Sequence, residues 1–117
     1  MNKNTIGIVG CGLMGSDVAA IFLAAGWQVQ AAEPDLASWE ARRERVRSSV
    51  RQLDGTFHAD RLRLVKSIQE IEWTDIKLVL EAAPERLELK RHIFSELDRV
   101  APRHIPIGTN ASRIRAC

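Results

Sequence analysis

Three glycines and one carboxylate set what this chain can do chemically. Gly10, Gly12 and Gly15 form a Gly-x-Gly-x-x-Gly turn, entered by Ile6-Gly7-Ile8-Val9 and left by a helix-forming segment, 16–25. Eighteen residues after Gly15, Glu33 follows a second apolar segment. Glycines at this spacing suit one task, the seating of a diphosphate. Gly10 permits a tight turn, Gly12 keeps a Cβ out of the ligand's path, and Gly15 lets the helix close on the strand. The amides at the helix start, with the backbone of Cys11, Leu13 and Met14 around them, then face an anion that the helix dipole also favours. Glu33 completes the pattern, because a carboxylate there accepts hydrogen bonds from both hydroxyls of an adenosine ribose.

A bare Gly-x-Gly-x-x-Gly is a weak signal, and a glycine-rich turn in an unrelated α/β domain is the bland alternative. The strand before it, the helix after it, Gly26 closing that helix, a strand over 28–32 and the terminal acid make a βαβ dinucleotide fingerprint. The charge of Glu33 repels a 2′-phosphate by on the order of 1–4 kcal/mol, depending on local dielectric. No arginine follows Glu33 at once. NAD is therefore expected in preference to NADP. FAD is a rival for the same turn, although Pro34-Asp35-Leu36 lacks the glycine-containing continuation expected of flavoproteins. Glu33 can also be read as a plain surface acid at a strand end.

The elements that must position these residues follow from hydrophobic periodicity. Strands are expected over 5–9, 28–32, 64–66, 77–82 and 105–108. Helices are expected over 13–25 and 87–101, and from Leu36 toward Gly55, with Asp35 as a cap for the last of these. A short helical turn over 58–63 and a helical connector over 67–71 fill the remainder. Strands alternating with helices make a doubly wound parallel sheet, a Rossmann-type α/β fold in a single domain spanning 1–117. In such a sheet ligands sit outside the carboxyl ends of the strands. Four loops leave those ends: 10–15, 33–35, 83–87 and 109–112.

Composition narrows the field without naming a partner. The chain has 117 residues, 45% hydrophobic and 27% charged, and a formal net charge of +2. That is ordinary for a globular domain and offers no charge balance for nucleic acid or an anionic membrane. Arg42, Arg43, Arg45, Arg47 and Arg51 cluster among Glu40 and Glu44, which reads as a solvated helix face with local ion pairs. The apolar run 6–26 superficially resembles a secretory segment, but Asp17 and its glycines argue against that. Cys11 and Cys117 make no disulfide framework and no metal spacing, so a reducing, cytoplasmic setting is expected. His58, His92 and His104 are scattered and are read as surface or loop residues. From spacing alone, Glu85 is a first-turn acid favouring the helix dipole and Lys90 an exposed lysine, while Asn110 and Ser112 are loop formers.

A resemblance changes that last reading. The chain resembles the NAD-binding half of the 3-hydroxyacyl-CoA dehydrogenase family over nearly its whole length. The matching pieces are 6–15, then Leu80-Glu81-Ala82-Ala83-Pro84-Glu85-Arg86-Leu87-Glu88-Leu89-Lys90-Arg91, then Phe94-Ser95-Glu96-Leu97-Asp98, then Thr109-Asn110-Ala111-Ser112. The second piece is the most specific, since a generic dinucleotide domain has no reason to carry it. The resemblance implies that Gly10, Gly12, Gly15 and Glu33 hold the ADP half of NAD. It places Ala83, Pro84, Glu85 and Lys90 on the nicotinamide side. Ser112 would bond the substrate's 3-hydroxyl or 3-keto oxygen, and Asn110 would shape the same pocket.

In that family hydride passes between C3 of an acyl-CoA and the nicotinamide, and a histidine oriented by a glutamate handles the hydroxyl proton. Both residues belong to a second, helical domain, and His104 does not match their position. The expectation is therefore a piece that binds the cofactor without the acid–base machinery, from a full-length homodimer that engages neither nucleic acid nor membrane. Glu33 where the family usually has Asp, and Thr109 and Ala111 around Asn110, leave the secondary-alcohol substrate open among acyl-CoA, carnitine and gulonate types. Two other readings stay open: a nucleotide-sensing module without chemistry, and the hydroxyisobutyrate or 6-phosphogluconate dehydrogenase type.

Overall fold

The computed structural model describes residues 4–109. Its elements run β1 (Thr5–Val9), α1 (Leu13–Ala24), β2 (Gln28–Ala32), α2 (Trp39–Gln52), β3 (Leu62–Val65), β4 (Ile76–Glu81), α3 (Leu87–Val100) and β5 (Ile107–Thr109). All the strand pairings are parallel, in the order β3-β2-β1-β4-β5. The chain thus runs outward from β1 to one edge, then crosses back to build the other half. The change of direction falls between β1 and β4.

Strands β1 to β4 feed two separate cores, one on each face of the sheet, while β5 lies at the edge and is only partly buried. Ile6 and Ile8 of β1, Val29 and Ala31 of β2, and Leu62 and Leu64 of β3 meet Ala19, Ala20 and Leu23 of α1 and Val46 and Val50 of α2. On the opposite face, Val9, Ala32, Val65 and Val79 meet Ile93 and Leu97 of α3. Period-2 strands and period-3.6 helices together enforce this layering. Each fully buried Val, Leu or Ile contributes about 1.5–3 kcal/mol to it. No helix among the described residues is long and apolar enough to cross a membrane.

Some boundaries depart from the periodicity reading. The helix expected from Leu36 begins as a 3-10 turn, Leu36–Ser38, before α2 proper. Asp35 stands at its start but makes no side-chain cap; instead its carbonyl accepts from Ser38 N–H (3.0 Å) and Ser38 Oγ (2.7 Å). β3 starts at Leu62 because Leu62 through Val65 pair with Val29 through Ala32, which shortens the preceding turn to Ala59–Arg61. β5 begins beyond Pro106, whose carbonyl accepts from Val79 N–H at 2.9 Å. Proline has no N–H to continue the ladder.

The arginine cluster on α2 is also organised differently from the expected helix face. Its recorded partners lie on other elements and not on Glu40 or Glu44. Arg43 donates to the Leu62 carbonyl (3.2 Å), Arg45 pairs with Asp17 (3.4 Å), and Arg42 approaches Glu33 (3.8 Å). These contacts fasten α2 to β3, α1 and the end of β2.

Candidate dinucleotide site

A cleft of about 660 Å³ opens at the carboxyl ends of the strands, over the change of direction between β1 and β4. Of the residues expected to hold a cofactor, Gly10, Gly12, Leu13, Glu33, Ala83, Pro84 and Glu85 line it. Cys11, Met14, Gly15 and Lys90 do not. Asn110 and Ser112 lie outside the described residues.

The three glycines divide the work of the turn. Gly10 has φ of +96°, and a Cβ there would meet the Ala83 backbone at 2.9 Å. The tight turn therefore also lets the first loop touch the loop after β4. At Gly15 a Cβ would sit 2.0 Å from the Gly10 carbonyl oxygen, so the helix closes on the turn itself. Gly12 differs: a Cβ there would meet nothing within 4 Å. Space is kept free at the mouth of α1, where no acid stands in the first turn and no side chain caps the end. The first helical bond runs from Ser16 N–H to the Gly12 carbonyl (2.9 Å), which leaves the amides ahead of it for an external acceptor. An uncapped twelve-residue helix with a bare approach fits a diphosphate.

Cys11 lies under the turn. Its side chain is fully buried, and its amide donates to Glu33 Oε1 at 3.3 Å. Burial pushes the Cys11 thiol up from its ordinary value; the bond with Ser16 Oγ (3.7 Å) lowers it and the nearby Glu33 charge raises it further. Cys11 therefore orients Glu33 through its backbone, and its side chain does not face the cleft.

Glu33 follows β2 and is 8% exposed, with its carboxylate in the cleft wall. Oε2 accepts from Asp35 N–H at 3.0 Å, and Trp39 Nε1 donates to the Glu33 carbonyl at 2.9 Å. The amides of Cys11 and Asp35 thus hold one carboxylate oxygen each, with acceptor capacity left for two hydroxyls. An arginine is present after all. Arg42 arrives from α2, nine residues on in sequence, with its Nε 3.8 Å from Glu33 Oε1.

The β4 end holds a second acid that periodicity did not single out. Glu81 is fully buried, and Lys90 of α3, only 1% exposed, donates to its Oε1 and Oε2 at 2.8 Å each. Lys90 also donates to the Ala83 carbonyl (3.0 Å) and lies 3.6 Å from Glu85 Oε1. Ala83 N–H (2.7 Å) and Thr109 Oγ1 (2.7 Å) complete the set around Glu81. Lys90 is neither the exposed lysine of the spacing reading nor a residue lining the cleft. A carboxylate at the end of a doubly buried strand needs a cation, and Lys90 supplies it. The sequence signal was available: Glu81 is the lone acid in the apolar run 78–83.

Two further walls of the cleft carry no motif or spacing signal. Lys66, Ser67, Ile68 and Gln69, leaving β3, line the cleft, as do Leu89, His92, Ile93 and Glu96 on α3. The rule that picked four strand-end loops applies equally to the end of β3. The α3 wall is a helix face and no loop rule finds it. Ile68, Leu89 and Ile93 make an apolar slot suited to a flat heterocycle. His92 is exposed at its rim, and His58 and His104 are exposed elsewhere.

Comparison with known proteins agrees with this geometry. The family described as "3-hydroxyacyl-CoA dehydrogenase, NAD binding domain" matches residues 5–116. The glyoxysomal fatty acid beta-oxidation multifunctional protein MFP-a of Cucumis sativus is 32% identical over 93% of this chain and 16% of its own length. The L-carnitine dehydrogenase of Oceanobacillus iheyensis is 34% identical over 94% of this chain and 37% of its own. The crystal structure of 3-hydroxybutyryl-CoA dehydrogenase from Escherichia coli superposes with a TM-score of 0.77 at 29% identity, covering 97% of this chain and 26% of that one. The chain thus spans between about one-sixth and somewhat over one-third of these relatives. With a glycine turn that leaves room for a diphosphate, an acid following β2 in the cleft wall and a family match across almost every residue, the chain belongs to the 3-hydroxyacyl-CoA dehydrogenase family as its NAD-binding domain.

Proposed function

We propose that this chain is the cofactor-holding part of an oxidoreductase that moves hydride between NAD and C3 of a 3-hydroxyacyl-CoA. The observation that carries the reading is one cleft containing both the open approach at Gly12 and the oriented carboxylate of Glu33. Amides at the start of α1 bind the diphosphate, and Glu33 accepts the adenosine-ribose hydroxyls. Ile68, Leu89 and Ile93 flank the adenine, while Ala83, Pro84 and Glu85 border the nicotinamide side. Bound NAD supplies the hydride acceptor. Thr109, tied to Glu81, fixes where the chain leaves β5 toward Asn110 and Ser112. Those two residues are the proposed contacts for the substrate oxygen. The histidine and glutamate that handle the proton come from polypeptide outside this span, in a homodimeric full-length protein. A reducing compartment such as the cytoplasm suits the free, buried Cys11.

A second reading, dehydrogenation of carnitine, is favoured by the 34% identity to an L-carnitine dehydrogenase. A substrate panel on the full-length protein separates the two. NADH absorbance should rise with 3-hydroxybutyryl-CoA and stay flat with carnitine and gulonate. The isolated 117-residue chain should bind NAD yet show no turnover. Oxidation of carnitine in preference to the acyl-CoA would overturn the acyl-CoA assignment. Absence of turnover with every alcohol would favour a sensing module.

A further inference from the structure

Arg42 is the one cleft-lining guanidinium among the described residues, and it stands beside the ribose acid. Its Nε is buried yet makes no hydrogen bond among the described residues, and it lies 3.8 Å from Glu33 Oε1. The side chain as a whole is 32% exposed, and it lines the cleft. Nearby cations are engaged elsewhere: Arg43 on the Leu62 carbonyl, Arg45 on Asp17, and Lys66 on Glu70 at 3.7 Å. The Trp39 bond to the Glu33 carbonyl pins the start of α2 to the end of β2. That link fixes how far Arg42 stands from the carboxylate. A planar guanidinium with unused donors is suited to a phosphate, which it can grip through two parallel bonds.

We propose that Arg42 is a cofactor-specificity residue. Beside an ionised Glu33 it screens the carboxylate and steadies it for an unphosphorylated ribose, and beside a neutral side chain it becomes the cation that holds a 2′-phosphate. The rejection of NADP therefore resides in Glu33 alone, and it is milder than an unscreened acid would give. The proposal rests on the reading that seats the adenosine ribose at Glu33.

Calorimetric titration of the full chain with NAD⁺ and with NADP⁺ tests it, using wild type, E33Q, R42A and E33Q/R42A. Circular dichroism confirms folding; Arg42 is partly exposed on a helix, so R42A is expected to fold. E33Q should strengthen NADP⁺ at least tenfold and weaken NAD⁺ several-fold. E33Q/R42A should lose that gain and return NADP⁺ to within threefold of wild type. R42A alone should weaken NADP⁺ at least threefold and leave NAD⁺ within threefold. A gain that survives in E33Q/R42A, including one carried by Lys66, overturns the role of Arg42. An unchanged NADP⁺ affinity in R42A also overturns it. If E33Q shifts neither cofactor, the ribose is seated elsewhere and the underlying reading falls first.

Discussion

Two carboxylate–cation pairs flank β1, and they are built for opposite purposes. At the end of β4, Lys90 holds both oxygens of Glu81 at 2.8 Å, with the lysine 1% exposed and the glutamate fully buried. Beyond β2, Arg42 stops 3.8 Å short of Glu33, whose carboxylate faces the cleft. The first pair is closed, with both side chains buried. The second is open: both residues line the cleft, and the Arg42 Nε makes no hydrogen bond among the described residues. Charge pairing inside one fold thus serves architecture where it is sealed and recognition where it is left incomplete. Between the pairs, the glycine turn shows the same division: Gly15 is consumed by contact with the Gly10 carbonyl, while Gly12 faces open space.

The largest effect expected from this contrast is at the closed pair. Lys90→Met strands a buried carboxylate and should cost about 3–5 kcal/mol, read from urea unfolding followed by circular dichroism. Adding Glu81→Gln to that variant should recover part of the loss, because the uncompensated charge goes with it. R42A should cost about 1 kcal/mol or less. Similar losses from both single variants would erase the distinction between the pairs.

The turn gives the next effect. Gly15→Ala should destabilise the fold by roughly 3 kcal/mol, since a methyl cannot share space with a backbone oxygen. Gly12→Ala should stay within about 1 kcal/mol in stability. Its NAD affinity should nevertheless fall at least tenfold. A Gly12→Ala chain that binds NAD as wild type does would break the assignment of that open space to the diphosphate.

The smallest effect is a pH dependence at Cys11, directly beneath Glu33. Burial raises its thiol above the ordinary 9.0, so the unfolded chain ionises first as pH rises. Stability from this group is fully present below 9.0, and it falls as pH climbs from there toward the folded value. Unfolding midpoints measured at pH 8 and pH 10 should differ more for wild type than for Cys11→Ala. The loss should be at most about 1.4 kcal/mol per pH unit. Equal slopes would mean that the thiol is not held protonated by the fold.

Much of the fold is legible in the sequence. β1, α1, β2, β4 and α3 fall within a residue or so of their periodicity, since doubly buried strands and one-sided helices leave strong hydrophobic signatures. Edges were less legible: β3 and β5 are short, and their limits follow from register against β2 and from the missing N–H of Pro106. Site residues divide in the same way. Gly10, Gly12 and Glu33 are marked by spacing and Glu85 by the family resemblance, whereas Arg42 and the α3 wall carry neither mark, because each comes from a separate element folded back on the cleft.

Sequence by itself determined the alternation of strands and helices, the tight glycine turn after β1 and the acid that follows β2. Those depend on neighbours within a few residues, where backbone geometry leaves few options. Only the tertiary structure decided that Lys90 goes inward to Glu81 while Arg42 comes outward beside Glu33. Which cation meets which acid depends on how helices lie across a twisted sheet, and no local spacing encodes that distance.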